Sequence, residues 1–494
     1  MADGGTESRR FAGLFPAPDG PCGGHHRSCR RPHGRAGTFA RLAPPMSIAL
    51  PAAALATELP AQIGKYRVRA KLGEGATSEV YLARDEFRQL DVAIKRVRTG
   101  FGADSRDGHF QARFFAAEAA LVGRLQHPNV VQILDAVDDP AGPYLVMEYV
   151  AGPTLRRFCR ADALLPLDQV VEIGFKCAMA LGYVFRQGLV HRDVKPANIL
   201  TVLDADLIVD VKVTDFGSVF AFDSDRTQVY RVGSLAYMSP EQLDGDPLDC
   251  RADIYSLAAV LYHLVAGRPP FDATQQAAIM HQIYTAEPPP LQALRDGVTP
   301  ALEALIRQGL AKRRDDRFAD WDAFAQALSA LVANREVPRG PLQGVLDSER
   351  FNILRSLEFF KGFGDVELWE VVHRAKWRRL PFGTAIYKKG QEGNSFHIIA
   401  QGEVEVYRDG QRVAQLGAGT SVGEMAYLAP SPALKTHGAD VLVTQPATTI
   451  SFTPESMEGL SPGTRHLFDA AFIHVLVRRL HAAHEQLAHP RRIL

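Results

Sequence analysis

The sequence has few cysteines and no long apolar run. Its five cysteines have no spacing typical of disulfide frameworks or zinc sites: Cys22, Cys29, Cys159, Cys177 and Cys250. An odd, unpaired set is typical of a reducing compartment, so we expect a cytoplasmic protein. No apolar stretch reaches the roughly 18 residues of a membrane span, which argues against a transmembrane helix.

An excess of charge of one sign is also absent. The 56 Lys and Arg residues balance the 56 Asp and Glu residues, so no strong field favours nucleic acid or an anionic membrane. We therefore expect neither as a partner. With 494 residues, 46% of them hydrophobic, the chain predicts two or three folded domains.

The first part of the chain differs in composition from the rest. Residues 1–60 are rich in Gly, Pro and Arg and show no apolar periodicity, so we predict a disordered segment. A basic arm or targeting peptide is disfavoured by the acidic residues Asp3, Glu7 and Asp19. The true start could equally be Met46.

One stretch carries most of the chemical information. HRDVKPANIL places Asp193, Lys195 and Asn198 within six residues, and VTDFG adds Asp215 22 positions after Asp193. A lone Asp or Asn in a loop is usually a turn former. The ordered set instead matches the needs of phosphoryl transfer from ATP, namely a carboxylate to take the hydroxyl proton and oxygen ligands for Mg²⁺.

The surrounding pattern indicates two lobes and a further domain. Alternating strands begin near Tyr66, and the sequence becomes mostly helical from Leu167 to about Asn334, with a linker over 334–349. Residues 350–485 open on a helix and continue as short strands separated by glycine, which predicts a β-barrel or jelly roll. The fold class is therefore α+β and multidomain.

With these motifs, residues 66–333 resemble the eukaryotic-type serine/threonine protein kinases also found in bacteria. The resemblance implies a bilobal fold that binds ATP and Mg²⁺ between its lobes. LGEGATSEV would supply Gly73 and Gly75 over the phosphates, with Ser78 in place of a third Gly, and Val80 over adenine. Lys95 of VAIK would contact the α- and β-phosphates.

The same resemblance assigns the remaining kinase residues. Glu118 would anchor Lys95, Met147 would line the back of the pocket, and the hinge residues Glu148 and Val150 would meet adenine. Asp193 would be the catalytic base, Lys195 a γ-phosphate contact, and Asn198 and Asp215 the Mg²⁺ ligands. Structural roles are expected for a Glu241–Arg317 pair and for Asp253 under the catalytic loop. Thr227 is the expected activation-loop phosphosite, with Ser234 beside the base.

Residues 350–485 resemble a cyclic-nucleotide-binding domain. GEMAYL would place Gly423 and Glu424 in the phosphate cassette, with Glu424 on the ribose 2′-hydroxyl. The Arg that grips the phosphate in this family is missing, and His437 aligns with its position, near Lys435. Losing such a charge-assisted bond costs roughly 1.5–3 kcal/mol. Cyclic AMP or cyclic GMP as allosteric ligand, and a degenerate domain, both remain open.

The leading hypothesis is thus a serine/threonine kinase acting on protein substrates and regulated by its C-terminal domain. The alternative is a weakly catalytic, nucleotide-binding scaffold with a degenerate sensor. The presence of Lys95, Asp193, Asn198 and Asp215 favours the enzyme. A nucleic-acid regulator would need a helix-turn-helix after the barrel, for which 494 residues leave no room. Ala197, where kinases of basic substrates often have Glu, leaves the substrate undefined.

Overall fold

A computed structural model of the chain describes residues 59–75, 78–98, 115–204, 207–216, 232–340, 346–431 and 434–488. Residues 1–58, which make up most of the segment predicted to be disordered and include Cys22 and Cys29, lie outside these ranges.

The first lobe is built on a six-stranded antiparallel sheet, as the alternating sequence predicts. Its strand order is β1-β2-β3-β4-β6-β5. The strands are β1 (Gln62–Ile63), β2 (Tyr66–Glu74), β3 (Ser78–Asp85), β4 (Leu90–Val97), β5 (Ile133–Val137) and β6 (Tyr144–Glu148). A helix α1, of which residues 115–119 are described, precedes β5.

The second lobe is mostly helical. Its two central helices are almost fully buried, α2 (Leu167–Arg186) and α5 (Cys250–Ala266). Most of their side chains are apolar, while α2 also buries a polar stripe that includes Glu172 and Lys176. Strands β7 (Ile199–Asp204) and β8 (Leu207–Val213) form a hairpin. Val213 of β8 forms a parallel bridge with Val130, in the loop that precedes β5 of the first lobe. The other helices are α3 (Val232–Leu235), α4 (Pro240–Asp244), α6 (Gln276–Thr285), α7 (Pro300–Gly309) and α8 (Trp321–Ala333). No helix within the described ranges is long and apolar enough to cross a bilayer.

A strand-rich domain follows, which confirms the predicted α+β class. Two helices, α9 (Asp347–Ser356) and α10 (Asp365–Arg374), lead into a sheet of order β10-β14-β11-β12, with β9 on β14 and β13 on β11. The strands are β9 (Lys376–Leu380), β10 (Ala385–Tyr387), β11 (Phe396–Arg408), β12 (Gln411–Leu416), β13 (Ser421–Val422) and β14 (Asp440–Phe452). The last helices are α11 (Glu424–Tyr427), α12 (Pro454–Glu458) and α13 (Pro462–Ala488).

The apolar core of the helical lobe continues into the C-terminal segment. Phe175 of α2, Phe351 of α9 and Trp369 of α10 are buried, and their ring centroids lie 5.4 to 6.0 Å apart. Edge-on packing at such distances is favourable for aromatic rings. The first turn of α9 also falls inside the linker predicted over 334–349.

Candidate active site and ligand site

A lysine on the central sheet links three separate parts of the chain. The Lys95 Nζ atom on β4 lies 2.8 Å from Glu118 Oε2 on α1 and 2.7 Å from Asp215 Oδ1, just after β8. Glu118 is buried, and both of its carboxylate oxygens accept from Lys95. The pairing of Lys95 with Glu118 is the one expected from the sequence.

The electrostatics of this cluster keep the lysine charged. Burial alone would lower the pKa of Lys95, but the carboxylates of Asp215 and Glu118 outweigh burial and raise it above its ordinary value. Burial would likewise raise the pKa of Asp215, yet the Lys95 ammonium holds it below its usual range. Lys95 therefore stays protonated and can bind an anionic phosphate, whereas the ionised Asp215 carboxylate beside it can bind a cation.

The HRDVKPAN loop gathers its polar side chains around Asp193. Asp193 Oδ2 accepts from Lys195 Nζ at 2.7 Å and from Asn198 Nδ2 at 3.0 Å. Lys195 also donates to Ser234 Oγ at 3.2 Å, so the activation-segment hydroxyl lies next to this group, as predicted. Pro196 begins a 3₁₀ turn over Pro196–Asn198 that brings Asn198 back to Asp193.

A buried carboxylate supports the same loop from below. Asp253 on α5 accepts the backbone N–H of His191 at 2.7 Å and that of Arg192 at 2.8 Å, which confirms its predicted bracing role. Arg192 and Asp215 have φ angles of 67° and 70°. Left-handed backbone at non-glycine residues costs about 1–3 kcal/mol and persists only where the surroundings impose it, typically at functional sites.

The residues expected to hold Mg²⁺ fit a hard cation. Asn198 Nδ2 donates to both the backbone oxygen and the carboxylate of Asp193, so the amide oxygen is the atom of Asn198 left to meet a metal. Asp215 adds carboxylate oxygens. Within the described ranges no three His, Cys, Asp or Glu residues cluster as a closed metal site. Mg²⁺ is commonly bound by one or two carboxylates together with phosphate oxygens and water.

The residues predicted to contact adenine and the phosphates lie on strands β2, β3, β4 and β6 or directly after them. Val80 pairs with Lys95 across the sheet, so both side chains point to the same face. Gly73 lies opposite Val80, and the Gly75 N–H donates to the Ser78 carbonyl at 2.7 Å.

One of the two predicted hinge residues already uses its backbone N–H group within the protein. The backbone N–H of Glu148 donates to the Gln132 carbonyl at 2.9 Å, and its carboxylate pairs with Lys212 at 3.0 Å. A backbone donor to adenine would therefore come from Val150. Met147, expected at the back of the pocket, is buried on β6.

Two further predictions concern the segment after Asp215. Thr227, the expected phosphosite, lies outside the described residues. Glu241 and Arg317 form a buried pair at 2.6 Å, which confirms their predicted structural contact.

In the C-terminal domain, the cassette glutamate is tied to the last helix. Arg479 of α13 donates to the Glu424 carboxylate and, at 2.6 Å, to the carbonyl of Ser421. Glu424 is 1% exposed and Ser421 is fully buried. Their other polar atoms, Glu424 Oε2 and Ser421 Oγ, have no hydrogen-bond partner in the described part of the chain. Two buried polar oxygens in the phosphate-cassette region are thus left without a protein partner among the described residues, which is uncommon for buried polar groups.

His437 and Gly423 pack around the tyrosine of β10. The His437 ring stacks on Tyr387 with centroids 3.8 Å apart, and burial lowers the pKa of the imidazole. A neutral ring offers no positive charge to a phosphate, while Lys435 is exposed. Gly423 has a φ of 85°, and a Cβ there would lie 2.6 Å from the Tyr387 ring. That either His437 or Lys435 replaces the missing Arg remains a prediction.

Sequence reasoning did not single out Arg479 or Tyr387. Arg479 lies 55 positions after Glu424, on the last helix α13. Tyr387 lies on a three-residue strand with no chemical motif. Neither contact had a signal in local sequence spacing.

The two lobes, with Lys95 and the HRDVKPAN loop at their junction, define a protein kinase fold. The chain belongs to the protein kinase domain family, whose family model matches residues 66–330. A second family model, for the cyclic nucleotide-binding domain, matches residues 377–461.

Several bacterial kinases are similar to the first part of the chain. Serine/threonine-protein kinase PknB of Mycobacterium tuberculosis is 36% identical over 301 residues, covering 59% of this chain and 46% of that protein. PknB of Mycobacterium leprae is 38% identical over the same length, with the same coverage. A probable serine/threonine-protein kinase of Streptomyces coelicolor, SCO3848, is 34% identical over 291 residues, covering 57% and 42%. The chain therefore spans less than half the length of these relatives.

Proposed function

We propose that the protein transfers the γ-phosphate of Mg-ATP to serine and threonine hydroxyls of protein substrates. The observation that carries this proposal is the position of Lys95 between Glu118 and Asp215. Kinases require this ion pair and the metal-binding Asp to be in place together for catalysis. The curated relatives named as serine/threonine kinases support the same class of acceptor.

Each group has a defined part in the reaction. Asp193 would accept the proton of the attacking hydroxyl, and Lys195, which donates to Asp193, would also contact the transferred phosphate. Lys95 binds the α- and β-phosphates, and Gly73 and Gly75 let backbone N–H groups approach them. When bound to Asn198 and Asp215, Mg²⁺ supplies charge neutralisation at the phosphates.

The proposal is tested by ³²P transfer from ATP to a Ser/Thr-containing acceptor protein, with Mg²⁺ titrated. We expect Mg²⁺-dependent labelling that phosphoamino acid analysis assigns to Ser and Thr. Asp215→Asn should lower kcat at least about a hundredfold because it removes a metal ligand and the counter-charge of Lys95. Asp138→Asn, at an exposed position, is the control. Equal labelling by both variants would contradict the proposal.

We further propose that the C-terminal domain regulates the kinase and takes cyclic AMP or cyclic GMP as its ligand. Support comes from the match to the cyclic nucleotide-binding model and from the unpartnered oxygen of the buried Glu424. Because Arg479 already occupies the other oxygen, a nucleotide would share Glu424 with α13. Ligand binding and the position of α13 would then be linked.

Calorimetric titration of the full chain with each cyclic nucleotide tests this ligand assignment. Glu424→Gln should weaken binding about ten- to a hundredfold, the worth of a charge-assisted hydrogen bond. Glu458→Gln, also on the C-terminal domain but exposed, should bind as the wild type does. An absence of binding at millimolar ligand would favour the degenerate-domain alternative.

A cytoplasmic location is part of the proposal. Cys159, Cys177 and Cys250 are free and buried, and burial raises the pKa of each thiol. Free thiols of this kind are compatible with a reducing compartment.

A further inference from the structure

Helices α9 and α10 contact the helical lobe of the kinase domain, called the kinase lobe below, through buried charges as well as aromatic rings. The Lys176 side chain on α2 is 4% exposed, and its Nζ lies 2.8 Å from Asp347 of α9 and 3.2 Å from Asp210 of β8. On the same helix, the Glu172 carboxylate accepts from Ser348 Oγ at 2.6 Å. Separating these helices would leave buried charges short of partners, so the contact is favoured by more than shape.

One hydrogen bond in this contact reaches the loop between α1 and β5. Trp369 of α10 donates its indole N–H to Asn129 Oδ1 at 2.8 Å, and both residues are completely buried. The Asn129 amide nitrogen donates in turn to the Val211 carbonyl at 2.8 Å, and the Val213 N–H donates to the Asn129 carbonyl at 2.8 Å. Asn129 is thereby fixed between α10 and strand β8.

The loop that carries Asn129 connects two active-site groups. Helix α1, with Glu118, leads directly into this loop, and β8 ends two residues before Asp215. The intervening Thr214 donates its N–H to the carbonyl of Asn198 at 2.9 Å. A shift of Asn129 would therefore act on both carboxylates that hold Lys95.

We infer that α9 and α10 form an activating brace, so that the docked C-terminal domain keeps Glu118 and Asp215 aligned on Lys95 through Asn129. The inference rests on the proposed kinase function and specifies how the C-terminal domain acts on it. Its basis is that the Lys95 ion pairs are formed while Trp369 and Asp347 contact the kinase lobe. Loss of the docking contact then lowers turnover. In this assignment Trp369 is a positioning residue.

The test compares two Trp→Phe variants of the full chain. Trp369→Phe keeps a ring in the core but removes the N–H that Asn129 accepts. Trp377→Phe is the matched control, because the Trp377 indole N–H has no hydrogen-bond partner among the described residues. We expect Trp369→Phe to lower kcat by about 5- to 150-fold, the usual range of coupling between sites. Trp377→Phe should leave kcat near the wild-type value.

A second pair of variants distinguishes loss of the docking contact from a general loss of folding. Asp347→Asn breaks the ion pair with Lys176 at the partly exposed edge of the contact, and Asp315→Asn breaks the pair with Arg251 elsewhere on the kinase. Only Asp347→Asn should lower kcat per molecule competent to bind ATP. Hydrogen exchange should also become faster in residues 119–131 and 207–215 of Asp347→Asn and Trp369→Phe, which a general loss of stability would not confine to these segments.

Unchanged or increased kcat in both docking variants, with wild-type kinase activity present, would overturn the brace. Increased kcat would instead indicate an inhibitory contact. An inactive wild type, equal to Asp193→Asn, would contradict the proposed kinase function itself, so the two failures are distinguishable.

Discussion

Replacing Asp193 by Asn is expected to lower kcat about 10²- to 10⁴-fold, the contribution of a well-placed general base. The amide keeps the shape of the carboxylate and can still accept from Lys195 and Asn198, which lie 2.7 and 3.0 Å from Asp193 Oδ2. It cannot take the proton of the attacking hydroxyl. The measurement is steady-state phosphotransfer to a protein substrate, together with the Kd for ATP.

Binding of ATP should change little in Asp193→Asn, because the proposed role of Asp193 is to contact the acceptor hydroxyl and not adenine. The exposed Asp138→Asn variant again controls for the chemical change alone. Retention of wild-type turnover by Asp193→Asn would assign proton removal to another group.

Replacing Arg317 by Met is expected to lower the free energy of unfolding by about 3–5 kcal/mol, the cost of breaking a buried ion pair. The Arg317 side chain is fully buried, and it donates to both carboxylate oxygens of Glu241 and to the carbonyls of Ala311, Arg251 and Lys312. Methionine leaves the Glu241 charge and these carbonyls without their donor. Denaturant unfolding monitored by circular dichroism measures the loss.

Arg307→Met makes the same chemical change at the surface. Arg307 pairs with Glu287 at 3.3 Å, with the two side chains 53% and 71% exposed, so its loss should cost no more than about 1 kcal/mol. Similar losses in the two variants would show that the Glu241–Arg317 pair contributes little beyond a surface contact.

The kinase half could be predicted in detail because its chemistry lies in short, ordered motifs. Asp193, Lys195 and Asn198 lie within six consecutive residues. The resemblance to protein kinases that they establish then identified the distant residues Lys95 and Glu118. The α+β class followed from the change of periodicity along the chain.

The contacts of the C-terminal segment could not be predicted in the same way. Trp369 and Asn129 are 240 positions apart, and nothing in the pattern of α10 distinguishes a tryptophan that packs in its own domain from one that donates to another. Arg479 was hidden for a similar reason, since a helix pattern shows which face is apolar but not which distant carboxylate an arginine on it meets.

The aromatic cluster of Phe175, Phe351 and Trp369 has a consequence for how the chain folds. Because rings from both sides of the linker complete one core, the kinase lobe acquires its full apolar packing only after α9 and α10 have been synthesised and docked. A chain that ends before α9 would expose Phe175 to solvent, and exposed apolar surface favours aggregation. We therefore expect the kinase lobe and helices α9 and α10 to unfold together as one cooperative unit.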